Sequence, residues 1–228
     1  MRIILFIFTL LQINCLLASE VSISKYFLTF ENNENTKQSV RLINNGKNKA
    51  FIEVVLEEVV LENNELKFKP VEVNENSLIA TPNKIILQPN EKINSEKNVN
   101  FVNLNKDIKK EKIYRASYYP RLPKDYNNEK KLAVNILIVY ETYIYVTPKV
   151  IIQDYNIERK EDYIIFKNNG NSKIKLIKGK TCVEKECEII KNKIVLAGQE
   201  IKIPASKDAS LYYTMDFGNE KVKELKFK

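Results

Sequence analysis

Residues 131–146, KLAVNILIVYETYIYV, form a run of β-favouring residues about sixteen long. Leu132, Val134, Ile136 and Ile138 fall at every second position, and in an extended chain alternate side chains share one face. The opposite face carries Ala133, Asn135, Leu137 and Val139, a mixed set, so both sides of this strand are expected to be at least partly covered. Strands usually run roughly 3–10 residues. A longer one either extends past its neighbours at a sheet edge or lends side chains to another protein. Taken alone, the run also reads as the longest core strand of a β-sandwich, since buried strands are commonly continuous apolar runs.

The start of the chain supplies context. MRIILFIFTLLQINCLLASE has one Arg, an apolar stretch from Ile3 to Leu17 broken by Thr9, Gln12 and Asn14, then Ala18 and Ser19. That order is the order of a secretory signal peptide, with residues 1–19 removed after Ala18 or Ser19. The apolar stretch is short for a membrane span, and no later stretch is apolar enough to insert. Cys15, preceded by Asn14 rather than a small residue, goes with the discarded segment. Cys182 and Cys187 then remain as an even pair, and in an oxidising compartment their spacing suits a disulfide closing a tight hairpin.

The chain has no histidine and three cysteines, which disfavours a zinc site and every nucleophile activated by His. Its Asp and Glu residues are scattered without a recognisable motif. No enzyme, metal or cofactor is therefore expected. Lys plus Arg number 37 against 29 acidic residues, a formal +8, which favours acidic partners or surfaces. The lysines are spread singly rather than clustered with aromatics, so nucleic acid is not an expected partner.

After the signal, short strands separated by Asn-rich turns are expected over 21–30, 39–44, 50–61, 84–88, 98–104, 112–119 and 131–146, then 162–167, 173–183, 186–190, 193–203, 210–216 and 221–227. Many short strands without a capped helical pattern indicate an all-β protein of sandwiches. The mature length suits two sandwiches of roughly 100 residues each. VRLINNGKNKAFIEV and YIIFKNNGNSKIKLI both read strand, Asn-Asn-Gly, strand, and each Asn-Gly taken alone is a hairpin signal. The expected boundaries are 20–147 and 148–228, with the joint in TPKVIIQDYN because Pro148 cannot donate to a ladder.

These pieces resemble the periplasmic pilus-assembly chaperones of the PapD-like type, two immunoglobulin-like domains set at an angle. The matching features are VSISKYFLTF, VRLINNGKNKAF, LIATPNKIILQPNEK with Thr81-Pro82 and Leu87 to Pro89, IYRASYYPRLP, the long strand ending YVTPK, and NNGN in the second half. Together they cover almost the whole mature chain in the family's order. The family often has one disulfide late in its second domain, where Cys182 and Cys187 stand. The resemblance implies a mechanism: pilus subunits lack their last strand, and the chaperone inserts its own long strand into the gap. Strand addition holds the partner by main-chain hydrogen bonds while alternate side chains fill pockets. Leu132, Val134, Ile136 and Ile138 would be the donated face, 120–131 a short preceding loop, an outer-membrane usher a further partner, and the periplasm the compartment.

Well-studied members hold the subunit's terminal carboxylate with an Arg on the first strand and a Lys late in the long strand. Alignment places Phe27 and Tyr143 there. Lys25, Arg115 and Arg121 are the candidate substitutes, since a carboxylate needs a nearby cation and donor. Two rivals remain: a surface or adhesive protein of tandem immunoglobulin-like domains without a client, and a carbohydrate-active enzyme, disfavoured because the chain contains no Trp.

Overall fold

In the computed structural model of the 228-residue chain, residues 20–31, 36–90, 92–121, 137–218 and 222–227 are described. They form two immunoglobulin-like β-sandwiches. The first is built from β1 (Val21–Ile23), β2 (Phe27–Phe30), β3 (Lys37–Asn44), β4 (Ala50–Glu62), β5 (Glu65–Pro70), β6 (Leu78–Thr81), β7 (Lys84–Leu87), β8 (Glu96–Asn103), β9 (Lys112–Arg121) and β10 (Tyr140–Val146). One sheet has the order β1-β3-β8-β6; the other runs β2-β10-β9-β4-β5, with β7 also on β4. The second sandwich uses β11 (Tyr155–Arg159), β12 (Tyr163–Asn168), β13 (Ile174–Val183), β14 (Glu186–Ile189), β15 (Lys193–Val195), β16 (Glu200–Pro204), β17 (Ser210–Asp216) and β18 (Val222–Phe227). Its sheets are β11-β12-β16 and β14-β13-β17-β18, with β15 on β13.

Each sandwich buries its own apolar core. In the first, Leu42, Phe101, Tyr114, Tyr118 and Ile144 meet between the sheets; in the second, Ile164, Phe166, Leu176, Leu211 and Met215 do so. Period-two alternation in β9 sends Tyr114, Ala116 and Tyr118 inward, which leaves Arg115 on the outer face. The expected single strand over 21–30 is two strands. β1 pairs antiparallel with β3, and after a break at Ser24–Tyr26 β2 pairs parallel with β10. Cys182 and Cys187 are register partners of the β13–β14 hairpin and are joined by a disulfide.

The two Asn-Asn-Gly copies are not hairpins. Each joins strands of opposite sheets, β3 to β4 and β12 to β13, and neither Gly46 nor Gly170 has positive φ. The first Asn of each copy is fully buried. Asn44 Nδ2 donates to the carbonyls of Asn48 (2.7 Å) and Gln88 (2.8 Å), and Asn44 Oδ1 accepts from Gly46 N–H at 3.0 Å. Asn168 repeats the pattern with Ser172 (2.8 Å), Val195 (3.0 Å) and Gly170 N–H (2.9 Å). A side chain at residue 170 would collide with the carbonyl oxygen of Ile152, so glycine is required there by close approach rather than by its dihedral freedom. Asn168→Ala strands these buried groups and is expected to cost about 2–3 kcal/mol. Chemical denaturation checks this, and Asn168→Asp should also destabilise because it removes the donor while keeping the shape.

Four buried tyrosines make the fold sensitive to alkali. Burial pushes the phenols of Tyr114, Tyr118, Tyr145 and Tyr213 up to about 12. An acid whose folded value lies above its unfolded value, about 10 for tyrosine, contributes stability that is complete below pH 10 and lost as pH rises through 12. Two units correspond to about 2–3 kcal/mol for each ring at most, and to less where solvent screens the phenolate. Melting temperature should therefore fall steeply between pH 10 and 12, with phenolate absorbance from these rings appearing only on unfolding. Phenolate signal from all the tyrosines at pH 10.5 in a folded protein would contradict it.

Candidate functional site

The outer face of the sheet β2-β10-β9-β4-β5 holds the side chains singled out by the sequence. Strand registers align Phe27, Tyr143, Arg115, Glu57 and Pro70 in one row across it. Phe27 is 62 % exposed. Arg115 is held from both sides: Nη2 lies 2.6 Å from Glu57 Oε2 and Nη1 3.2 Å from Glu141 Oε1. Phe68 covers the guanidinium, its ring centre 3.5 Å away. Desolvation opposes the charge on Arg115, but the hydrogen bonds to Glu57 and the attraction of Glu141 outweigh it and raise its pKa. Tyr143 donates its hydroxyl to Glu141 at 3.3 Å, and burial, followed by that carboxylate, raises its pKa.

The other two cations lie elsewhere. Arg121, at the end of β9, is exposed and paired with Glu53 at 2.6 Å. Lys25 is exposed and has no ion pair among the described residues. Its carbonyl accepts from Thr142 Oγ1 at 2.8 Å, and the next carbonyl, of Tyr26, accepts from Tyr143 N–H at 2.9 Å. Lys25 therefore sits at the point where β2 joins β10.

β10 is bordered by β9 along its whole length, but β2 joins it only from Tyr143 onward. The β2-side edge of Tyr140–Thr142 has no strand partner among the described residues. Tyr26 (53 % exposed), Leu137 (47 %) and Val139 (39 %) crowd that end. The strand read over 131–146 is a strand over Tyr140–Val146, and 137–139 precede it without pairing. Leu132, Val134 and Ile136 lie outside the described residues. Ile138 is half-buried. Along β10 the even-numbered Thr142, Ile144 and Val146 face the core, and the parity of Ile138 matches theirs.

The far end of this face meets the second sandwich. Val59, Ile113 and Tyr145 cluster with Leu196. The Glu111 carboxylate, 1 % exposed, takes Lys173 Nζ at 2.8 Å, Ser172 Oγ at 3.2 Å and Lys173 N–H at 3.0 Å. Lys173 Nζ also lies 3.8 Å above the Tyr145 ring. At the tip of the β4–β5 hairpin, Asn64 exchanges two hydrogen bonds of 2.8 Å with the main chain of Glu200.

No family model matches the sequence, and no curated protein matches it. Solved structures do. A class 5 fimbriae chaperone, CfaA, is 19 % identical, with a TM-score of 0.68 over 91 % of this chain and 99 % of that one. The fold is that of the fimbrial chaperones. The pre-assembly complex of the chaperone CsuC with the tip adhesion subunit CsuE, from the archaic Csu pili of Acinetobacter baumannii, matches at 16 % identity and TM-score 0.61, covering 90 % and 97 %. The Salmonella enterica SafA pilin–SafB chaperone complex matches at 12 % and 0.61, covering 92 % and 97 %. Phe27 and Tyr143, the positions that the resemblance aligns with the family's anchoring pair, are register partners, and the candidate Arg115 is next in the row. The acidic and aromatic partners of Arg115 had no sequence signal, because Glu57 and Glu141 reach it only through strand pairing.

Proposed function

We propose that this protein is a periplasmic, non-enzymatic chaperone of pilus subunits, exported by residues 1–19 and made of domains 20–147 and 148–228. It binds an incomplete subunit by adding its own strand, with Leu132, Val134, Ile136 and Ile138 entering the subunit's groove, and delivers it for assembly, with an usher as a further partner. The observation that carries this reading is the edge of β10 at Tyr140–Thr142, without a strand partner among the described residues and flanked by exposed apolar side chains, in a chain of fimbrial-chaperone fold. Main-chain groups on a free edge supply the hydrogen bonds and alternate side chains the specificity.

Purification of the protein from its native envelope tests this. A small partner, unstable alone, should come with it; a monodisperse protein carrying nothing would favour a surface or adhesive protein of tandem immunoglobulin-like domains. Among the three candidate anchors for the client carboxylate, Lys25 is favoured, because Arg115 and Arg121 already hold carboxylates. Lys25→Gln is expected to weaken the complex by about 2 kcal/mol without altering the melting temperature of the isolated protein. Unchanged affinity would leave binding to the backbone and the apolar face.

A further inference from the structure

A cavity of about 410 Å³ lies where the two sandwiches meet, on the side of the β4–β5 hairpin. Its apolar wall comes from both: Val59, Leu61 and Ile113 from the first and Leu196 from the second. Lys109 and Lys110 line it as well, and both are exposed. The loop that bears them is pinned, since the Lys109 carbonyl accepts from Asn171 Nδ2 at 2.8 Å and Glu111 N–H donates to the Asn171 carbonyl at 2.8 Å. Two carboxylates also line the space. Glu111 is neutralised by Lys173, and Lys112, which also lines the space, donates Nζ to the Asn76 carbonyl at 2.9 Å. This leaves Glu58 against three lysines.

We propose that this cavity is a binding site for a small amphiphilic anion, a carboxylate on an aliphatic body. The volume is in the range of small-molecule sites, which are mostly apolar with a few placed polar groups. A cation on a fixed loop beside an apolar wall fits a ligand with one anionic end, and neither a neutral chain nor a naked anion uses both features. Because the wall is drawn from both sandwiches, the ligand bridges them. The site is separate from the Tyr140–Thr142 edge of β10, so it stands whether or not the protein binds pilus subunits.

Titration calorimetry of the full mature protein with sodium decanoate below its micelle concentration, and with decanol as the neutral counterpart, tests the proposal. One equivalent of decanoate should bind, about tenfold or more tighter than decanol. Lys110→Glu, on an exposed residue that leaves the fold intact, should weaken decanoate by about tenfold and leave decanol unchanged. Leu196→Trp, which fills the space, should remove binding of both. Absence of decanoate binding, equal affinity for decanol, or wild-type decanoate affinity in Lys110→Glu would each overturn the proposal, and none of these depends on whether Leu196→Trp folds.

Discussion

Ile136→Asp, and separately Val134→Asp, are expected to leave the chain folded and to abolish client capture. If each donated aliphatic side chain buries fully, it contributes about 1.5–3 kcal/mol, and an ionised carboxylate forced into the same groove adds a desolvation cost of several kcal/mol more. One substitution therefore both removes a favourable contact and inserts an unfavourable one. Co-purification measures the capture and a thermal melt measures the fold. Ile144→Asp is the contrasting control: Ile144 has the same parity but is fully buried in the first core, so its replacement should unfold the protein. Equal loss of folding and capture in Ile136→Asp and Ile144→Asp would make the whole run ordinary core and would sink the strand-donation reading.

The all-β class and most strands were legible because period-two alternation survives wherever one face is buried, as in β9 and β13. The turns were harder. Asn45-Gly46 carries the usual hairpin signal yet links two sheets, while the positive-φ hairpin turn is Asn63–Asn64, at φ 51° and 64°. β5, which that turn introduces, is exposed at all six positions, so no buried face marked it in the sequence. The single strand expected over 193–203 is split at Gly198, whose φ of +82° interrupts an otherwise apolar pattern. The candidate site was legible only in part. Alternation indicated which residues of the long strand share a face, but Arg115 meets Glu57 across 58 residues of sequence. Pairings of that range follow from sheet order, which no local pattern encodes.

Glu111→Ala is expected to destabilise the protein more than any surface substitution. Glu111 stands just before β9 and Lys173 just before β13, so their contact ties one sandwich to the other. Removal of the carboxylate leaves the Lys173 ammonium, whose side chain is 12 % exposed, without its counter-charge. It also takes the acceptor from Ser172 Oγ and Lys173 N–H. Breaking a buried pair from one side costs about 3–5 kcal/mol, whereas replacing both members with apolar groups of similar size is often neutral or stabilising. For a chain of this size the loss corresponds to a melting temperature lower by roughly 6–20 °C. Glu111→Leu combined with Lys173→Met should recover most of that loss, because the introduced methionine side chain would still pack on the Tyr145 ring. The sign of the recovery separates two causes. If the double variant melts as low as Glu111→Ala, the hydrogen bonds to Ser172 and the main chain hold the joint. If it melts near the wild type, the penalty in the single variant is that of an unpaired buried charge.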